Sequence, residues 1–164
     1  MSEREDRPVT YGLAAPEDAR RLAALFFADM TDLGREPDQA KLCEVAEAAL
    51  ADERAHLQVA RDPDGRAIGI VLAMEIWSVK FPGRSLWIEE LYVTPDYRRR
   101  GIGRELVERL VVWAHERGFA GVELEAYRMN TAASVLYRSL GFRRIARERY
   151  SYDMANFDWV LDDA

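Results

Sequence analysis

One cysteine, Cys43, and two histidines, His56 and His115, are all this chain offers of the softer metal ligands. An internal disulfide is thereby excluded, as are the common structural zinc sets. No run of about 18 apolar residues occurs, so no membrane-spanning helix is expected. The opening Met1-Ser2-Glu3-Arg4-Glu5-Asp6-Arg7-Pro8 is charged and lacks the apolar core of a secretory signal. It reads as a loose tail over residues 1–8, and the protein is expected in the cytoplasm. No repeat, low-complexity tract or linker interrupts the rest of the chain, so residues 9–164 are expected to form a single domain. Excess cation is also lacking: 23 Lys and Arg against 29 Asp and Glu leave a net charge of −6, which argues against a nucleic-acid partner.

What is present suits a folded globule. A chain of 164 residues with 49% hydrophobic content can bury a substantial core. Strand letters at Tyr11 to Ala14 precede Pro16-Glu17-Asp18, a helix start, with Leu22, Leu25 and Phe26 turned inward as far as Met30. Asp32 to Pro37 interrupts, and a second helix covers Asp38 to Ala51. Leu57 to Ala60 and Ala67 to Glu75 flank the turn Asp62-Pro63-Asp64-Gly65, which predicts an antiparallel hairpin. Trp77 to Arg84, containing Pro82-Gly83, reads as a loop. Two last strands are expected near Arg143–Arg147 and Arg149–Met154.

The densest signal lies in the middle. Leu86 to Val93 is an apolar strand carrying Glu89 and Glu90, and it runs into Thr94-Pro95-Asp96-Tyr97-Arg98-Arg99-Arg100-Gly101-Ile102-Gly103. Glycines at a helix start leave main-chain N–H groups without helical partners, and with the helix dipole these bind phosphate. Lys80, Arg84, Arg98, Arg99, Arg100 and Arg104 gather positive charge nearby. A dinucleotide fingerprint would need glycine where Leu106 stands, and a nucleotide-triphosphate loop would need Lys and Ser or Thr after Gly103, where Arg104 and Glu105 stand. Ile102, Leu106, Leu110 and Ala114 then form one stripe of a helix that Gly118 ends. A second strand, Val122 to Ala126, comes next. Strand, crossover helix and strand imply parallel pairing of the two strands.

Further on stands Asn130-Thr131-Ala132-Ala133-Ser134-Val135-Leu136-Tyr137-Arg138-Ser139-Leu140-Gly141-Phe142. Arg98-x-x-Gly101-x-Gly103 followed by Asn…Ala…Leu-Tyr…Leu-Gly-Phe resembles the GCN5-related N-acetyltransferase (GNAT) superfamily, densely from about Ile70 to Met154 and loosely before. The resemblance implies an α/β fold: a mixed, mostly antiparallel sheet of six to seven strands with about four helices. Its two parallel central strands splay to admit acyl-CoA. It implies acetyl-CoA as cosubstrate, no metal, and direct attack by a primary amine in a ternary complex. The backbone of Leu91, Tyr92 and Val93 would hold the pantetheine arm. Arg98, Arg99, Arg100, Gly101, Ile102, Gly103 and Arg104 would surround the diphosphate, and Asn130, Ala132, Ala133 and Tyr137 would flank the arm. Tyr137 would also protonate the leaving thiolate.

Two adjacent carboxylates on a regular strand point to opposite faces. Glu89 aligns with the carboxylate that polyamine-acetylating members use, and it is taken first, with Glu90 close behind; a bulge in this strand, which the family shows, would alter the alternation and leaves that order open to reversal. Asp29 and Met30, with Glu89, Glu123 and Glu125, are expected on the acceptor side, where an acidic mouth suits a small cationic amine. A protein or peptide amine, and a non-catalytic acyl-CoA-binding module, stand as alternatives. His56 and His115 are read as surface or structural residues, Cys43 lies away from the motifs and is not expected to carry the acyl group, and Trp87 is read as core. Trp77, Phe81, Tyr150 and Tyr152 stay open between packing and pocket wall. Homodimer formation is likewise open, with the aromatic final strands and the apolar tail from Asn156 to Leu161 as candidate contacts.

Overall fold

The computed structural model describes residues 8–156. The expected tail at residues 1–8 and the apolar stretch at 156–161 therefore lie, apart from Pro8 and Asn156, outside the described residues. The chain divides into two compact units, Met1–Asn130 and Thr131–Ala164. Among the described residues no helix is long and apolar enough to cross a membrane.

The first unit is built on strands β1 (Thr10–Leu13), β2 (Ala55–Arg61), β3 (Ala67–Ser78), β4 (Gly83–Val93) and β5 (Gly121–Leu124). They lie side by side in chain order, antiparallel except for the parallel β4–β5 pair. Helices α1 (Ala19–Asp32) and α2 (Gln39–Ala51) precede β2, and α3 (Ile102–Glu116) crosses between β4 and β5. Asp38 starts α2 by accepting the N–H groups of Ala40 and Lys41 at 2.9 and 3.2 Å.

Strand alternation decides which helix lies on which face. Ile70 and Leu72 pack with Leu22, Leu25 and Phe26 of α1. Gly69, the neighbour of Ile70, points the other way, and a Cβ added there would meet Leu106 and Ile102 of α3 at 3.3 and 3.4 Å. Glycine at that position lets α3 lie close to the sheet. The α1/α2 pair and α3 thus cover opposite faces, with Leu106, Val107 and Leu110 fully buried under α3. Ser85, also fully buried, donates to the Gly121 carbonyl at 2.7 Å and ties β4 to β5.

Two expectations need correcting. The loop foreseen at Trp77–Arg84 is mostly strand: Trp77 pairs with Arg84 and Ser78 with Gly83, leaving a turn of residues 79–82. Pro82-Gly83 suggested a longer break, but the turn closes when the Phe81 N–H donates to Ser78 Oγ at 2.9 Å. The second correction concerns the sheet, which has five strands among the described residues, not six or seven; residues 143–153 contain none. That segment carries Arg143, Arg144, Arg147, Glu148 and Arg149 around a single aliphatic Ile145, and it buries no face that would repay strand ordering. The mixed α/β class itself stands. In the second unit α4 (Thr131–Ser139) ends before Gly141 at φ 90°, and the Phe142 N–H returns to the Tyr137 carbonyl at 3.0 Å.

Asp18 closes the entry to α1. Its carboxylate receives both terminal nitrogens of Arg61, at 2.9 and 2.6 Å, and the Ala15 N–H at 2.7 Å, while only 7% of the residue is exposed. Hydrogen bonding from Arg61 holds its carboxyl below the usual range. A lowered carboxyl adds stability that is present above the unfolded value and lost as pH falls through the folded one. Asp18→Asn should cost about 2 kcal/mol in urea unfolding near neutrality, and the deficit should shrink towards about pH 3. A deficit independent of pH would contradict this role.

Candidate functional site

β4 breaks its own alternation. Leu72 of β3 pairs with Glu90, yet the next residue, Ala73, pairs with Ile88, so Glu89 is an extra residue without a ladder partner. Such a bulge reverses the facing of everything beyond it. Ile88, opposite Ala73, lies on the α3 face; Glu90 and Tyr92, opposite Leu72 and Ile70, lie on the α1 face. Glu89 is left exposed, its Oε2 accepting the Trp87 indole N–H at 3.1 Å. The regular alternation of Glu89 and Glu90 does not hold across this point.

On the α1 face two rows of side chains meet. Asp29 and Glu90 lie close enough there for each carboxyl to act on the other. One turn on, Asp32 Oδ2 accepts the Tyr92 hydroxyl at 3.4 Å and an Arg98 terminal nitrogen at 3.1 Å. Burial, then the charge of Asp29 and its hydrogen bond, pushes Glu90 up to about 8; the Leu91 N–H, donating to the same carboxyl, opposes the shift. Asp29 is also raised, with burial the leading cause. Met30 follows Asp29 on α1 and is half-buried. Asp32 is the residue that sequence reasoning missed. The i, i+3 spacing of Asp29 and Asp32 on one helix face was the available signal.

The arginine loop is fixed from behind. Arg98 turns back, its Nε donating to the Val93 carbonyl at 2.8 Å and its guanidinium lying 5.2 Å from the Tyr92 ring centroid. Its side chain braces the loop against β4 and α1. Arg99 has a left-handed backbone, φ 62°, and Gly101, the N-cap of α3, has φ 77°. Arg100 covers Tyr97 at 4.9 Å. The first helical bond of α3 runs from Glu105 N–H to the Gly101 carbonyl at 3.0 Å, so the N–H groups of Ile102 and Gly103 precede any helical acceptor. An added Cβ at Gly101 would meet nothing within 4 Å, and at Gly103 only Val93, at 3.8 Å. The start of α3 is thus open and offers main-chain donors beside the exposed Arg99, Arg100 and Arg104. Donors and charge of this kind suit an anion. The Ile102 and Tyr92 side chains are core, so only their backbones are offered to a ligand.

Between these two features runs an unpaired edge. β5 pairs with β4 only from Ser85 to Ile88, and among the described residues no strand continues beside Glu89 to Val93. Glu123 is bound to Lys80, and Glu125 is exposed just past the end of β5, so neither joins the Asp29–Glu90 pair. Asn130 closes a turn to the Tyr127 carbonyl at 2.9 Å. In the second unit Ala132, Ala133 and Tyr137 all lie on α4, with the Tyr137 ring 5.8 Å from Phe142. Among the described residues no three His, Cys, Asp or Glu side chains are grouped to hold a metal.

The chain's likenesses agree with this geometry. A profile described as the acetyltransferase (GNAT) family matches residues 19–142. The [ribosomal protein bS18]-alanine N-acetyltransferase of Escherichia coli (strain K12) is 45% identical over 60 residues, 37% of this chain and 40% of that protein. The chain thus matches about two fifths of the length of that curated relative. The ribosomal-protein-alanine N-acetyltransferase structure from Brucella melitensis biovar Abortus 2308 superposes with TM-score 0.72 at 25% identity, covering 90% of this chain and 99% of that one. AAC(6')-Iy, solved with the bisubstrate analog CoA-S-monomethyl-acetylneamine, superposes at TM-score 0.75 and 19% identity, with coverage of 90% and 99%.

The half-buried Glu90 carboxyl carries a stability signature. Between the ordinary carboxylate range and about 8 the folded chain holds a proton on Glu90 that the unfolded chain has lost, so stability falls as pH rises through that window. Glu90→Gln should match the parent in denaturant midpoint near about pH 5 and exceed it increasingly towards about pH 9. Parallel pH curves for the two proteins would contradict the burial of this charge.

Proposed function

The chain belongs to the acetyltransferase (GNAT) family, and from that premise we propose that it is an enzyme transferring the acetyl group of acetyl-CoA to a primary amine by direct attack in a ternary complex. The observation that carries the proposal is the edge of β4 that β5 leaves unpaired, lying between the open glycine start of α3 and the half-buried Glu90. Support comes also from a structural neighbour whose bound analogue joins CoA to an acetylated amine.

Acetyl-CoA supplies an activated acyl group on a thiol that can leave. For its diphosphate the chain offers the N–H groups of Ile102 and Gly103, with the positive charge of Arg99, Arg100 and Arg104 beside them. For its arm the chain offers the backbone of Leu91 to Val93. The family resemblance assigns Asn130, Ala132 and Ala133 to the arm as well. Glu90 in its carboxylate form takes a proton from the amine nitrogen, directly or through a water. The Tyr137 hydroxyl gives its proton to the departing sulfur. A phenol near ~10 and a thiol near ~8.5 leave that last transfer mildly uphill, a modest gap for a site to close.

A small cationic amine is the favoured acceptor, because Asp29 and Glu90 together attract an ammonium group. A protein N-terminus is the second reading, favoured by the activities for which the two ribosomal-protein relatives are named. The non-catalytic reading has less support, since a binder needs neither a half-buried carboxyl nor an acid.

Thiol release from acetyl-CoA should be measured across polyamines, aminoglycosides and short peptides with free N-termini. Release with at least one amine is expected, and none with any would refute the transfer. Tyr137→Phe should slow turnover by about tenfold or more with nearly unchanged acetyl-CoA affinity; equal turnover removes the acid role. Gly103→Glu should weaken acetyl-CoA binding about tenfold or more by setting a carboxylate among the phosphate donors, and unchanged affinity would refute the loop assignment.

A further inference from the structure

Asp29 takes no part in the proton steps of acetyl transfer, yet it stands directly against the group that does. α1 presents Asp29 and Asp32 to the face on which β4 presents Glu90 and Tyr92, and the rows pair one to one. Asp32 has a cation and a hydroxyl: Arg98 and Tyr92. Asp29 has another carboxyl. Two carboxyls hydrogen-bond each other only while one carries a proton. Arg98, the cation that acts on Asp29, is already bound to Asp32 and the Val93 carbonyl. The other acid of this stretch, Glu89, is turned to the Trp87 indole by the bulge. Leu72, across the ladder from Glu90, is apolar. Among the ion pairs of the described residues none joins a Lys or Arg to Asp29 or Glu90. The place between the two carboxyls is therefore fitted for one positive charge, a proton or a cation.

Resting on the acetyl-transfer reading, we propose that Asp29 is a positioning residue that keeps a proton on Glu90 while the site is empty, and that the ammonium of the incoming amine replaces that proton. Cation entry and ionisation of Glu90 are then one event. The steps balance. The shared proton leaves to solvent as the ammonium enters, and the ammonium later passes one N–H proton to Glu90. That second transfer leaves a neutral, nucleophilic amine and restores the carboxylic acid. The base is thus generated by its own substrate, and the site selects nitrogen that arrives charged. A neutral amide or hydroxyl brings no charge to displace the proton.

The direct test is isotope-edited carboxyl NMR on the full chain, without acetyl-CoA, with n-butylammonium chloride as the probe. Glu90 should titrate near about 8 in the parent protein and move down by about one unit or more when the probe saturates the site. In Asp29→Asn, which retains a hydrogen-bonding group without the charge, Glu90 should titrate lower by about one unit or more, with little further response to the probe. Asp29→Glu should restore the probe response. In turnover, the rising limb of kcat/KM should lie near Glu90's free value and that of kcat lower, and the two limbs should converge in Asp29→Asn. Glu90 titrating in the ordinary carboxylate range, or equally raised with and without Asp29, would overturn the proposal. If Asp29→Asn does not fold, the parent titration with and without the probe decides alone, an unmoved Glu90 being the adverse result. Intact titrations with no thiol release from any amine would instead refute the acetyl-transfer reading, so the two failures are told apart.

Discussion

Side chains along a β-strand alternate between faces, and one residue too many exchanges the faces for every residue beyond it. That constraint governs this molecule. Ala73 and Leu72 are adjacent on β3, but their partners Ile88 and Glu90 are not adjacent on β4, and Glu89 is the residue left over. Without the bulge Glu90 would fall opposite Val71, on the face that α3 covers and away from Asp29. With it, Glu90 meets Asp29 and Tyr92 meets Asp32. The same irregularity lies where β4 loses β5, since their pairing stops at Ile88 and Leu124. A single local insertion thus supplies both an ionisable group and an unpaired strand edge.

The loop after β4 extends this logic. A left-handed residue that is not glycine is uncommon, yet Arg99 adopts that conformation two residues before Gly101 does the same. Arg98 holds the turn through Val93, Asp32 and Tyr92. Asp32 therefore serves the loop while its neighbour one turn earlier, Asp29, serves the carboxyl pair. One face of α1 links the arginine-loop end of the strand to the acidic end, so the two share one support. α3 contributes in turn, because Gly69 allows its buried stripe to settle on the sheet and sets the height of the helix start.

Much of this was legible in the sequence. The 3.6-residue stripe of Ile102, Leu106, Leu110 and Ala114, the glycine turn, the hairpin around Asp62 to Gly65 and the parallel pairing of β4 with β5 all arise from local chemistry and chain order. What escaped is what depends on partners distant in sequence. The bulge is a relation between β3 and β4 and leaves no mark in the letters of β4 alone. The Asp29–Glu90 contact needs α1 laid across the sheet before it exists. Arg98, read among the residues around the diphosphate, has its side chain bonded to the Val93 carbonyl and Asp32, neither of which its own letters announce. Residues 143–153 misled in the opposite way, since alternating tyrosines suggest strands but the intervening charge leaves no face to bury.

A crystal structure with acetyl-CoA bound tests the central claim most directly. The account predicts the diphosphate against the main-chain nitrogens of Ile102 and Gly103, the arm along Leu91 to Val93, and the acetyl group on the side of the strand where Glu90 meets Asp29. Acetyl-CoA bound away from the β4 edge, or Glu90 found on the α3 face with Glu89 turned to Asp29, would contradict it.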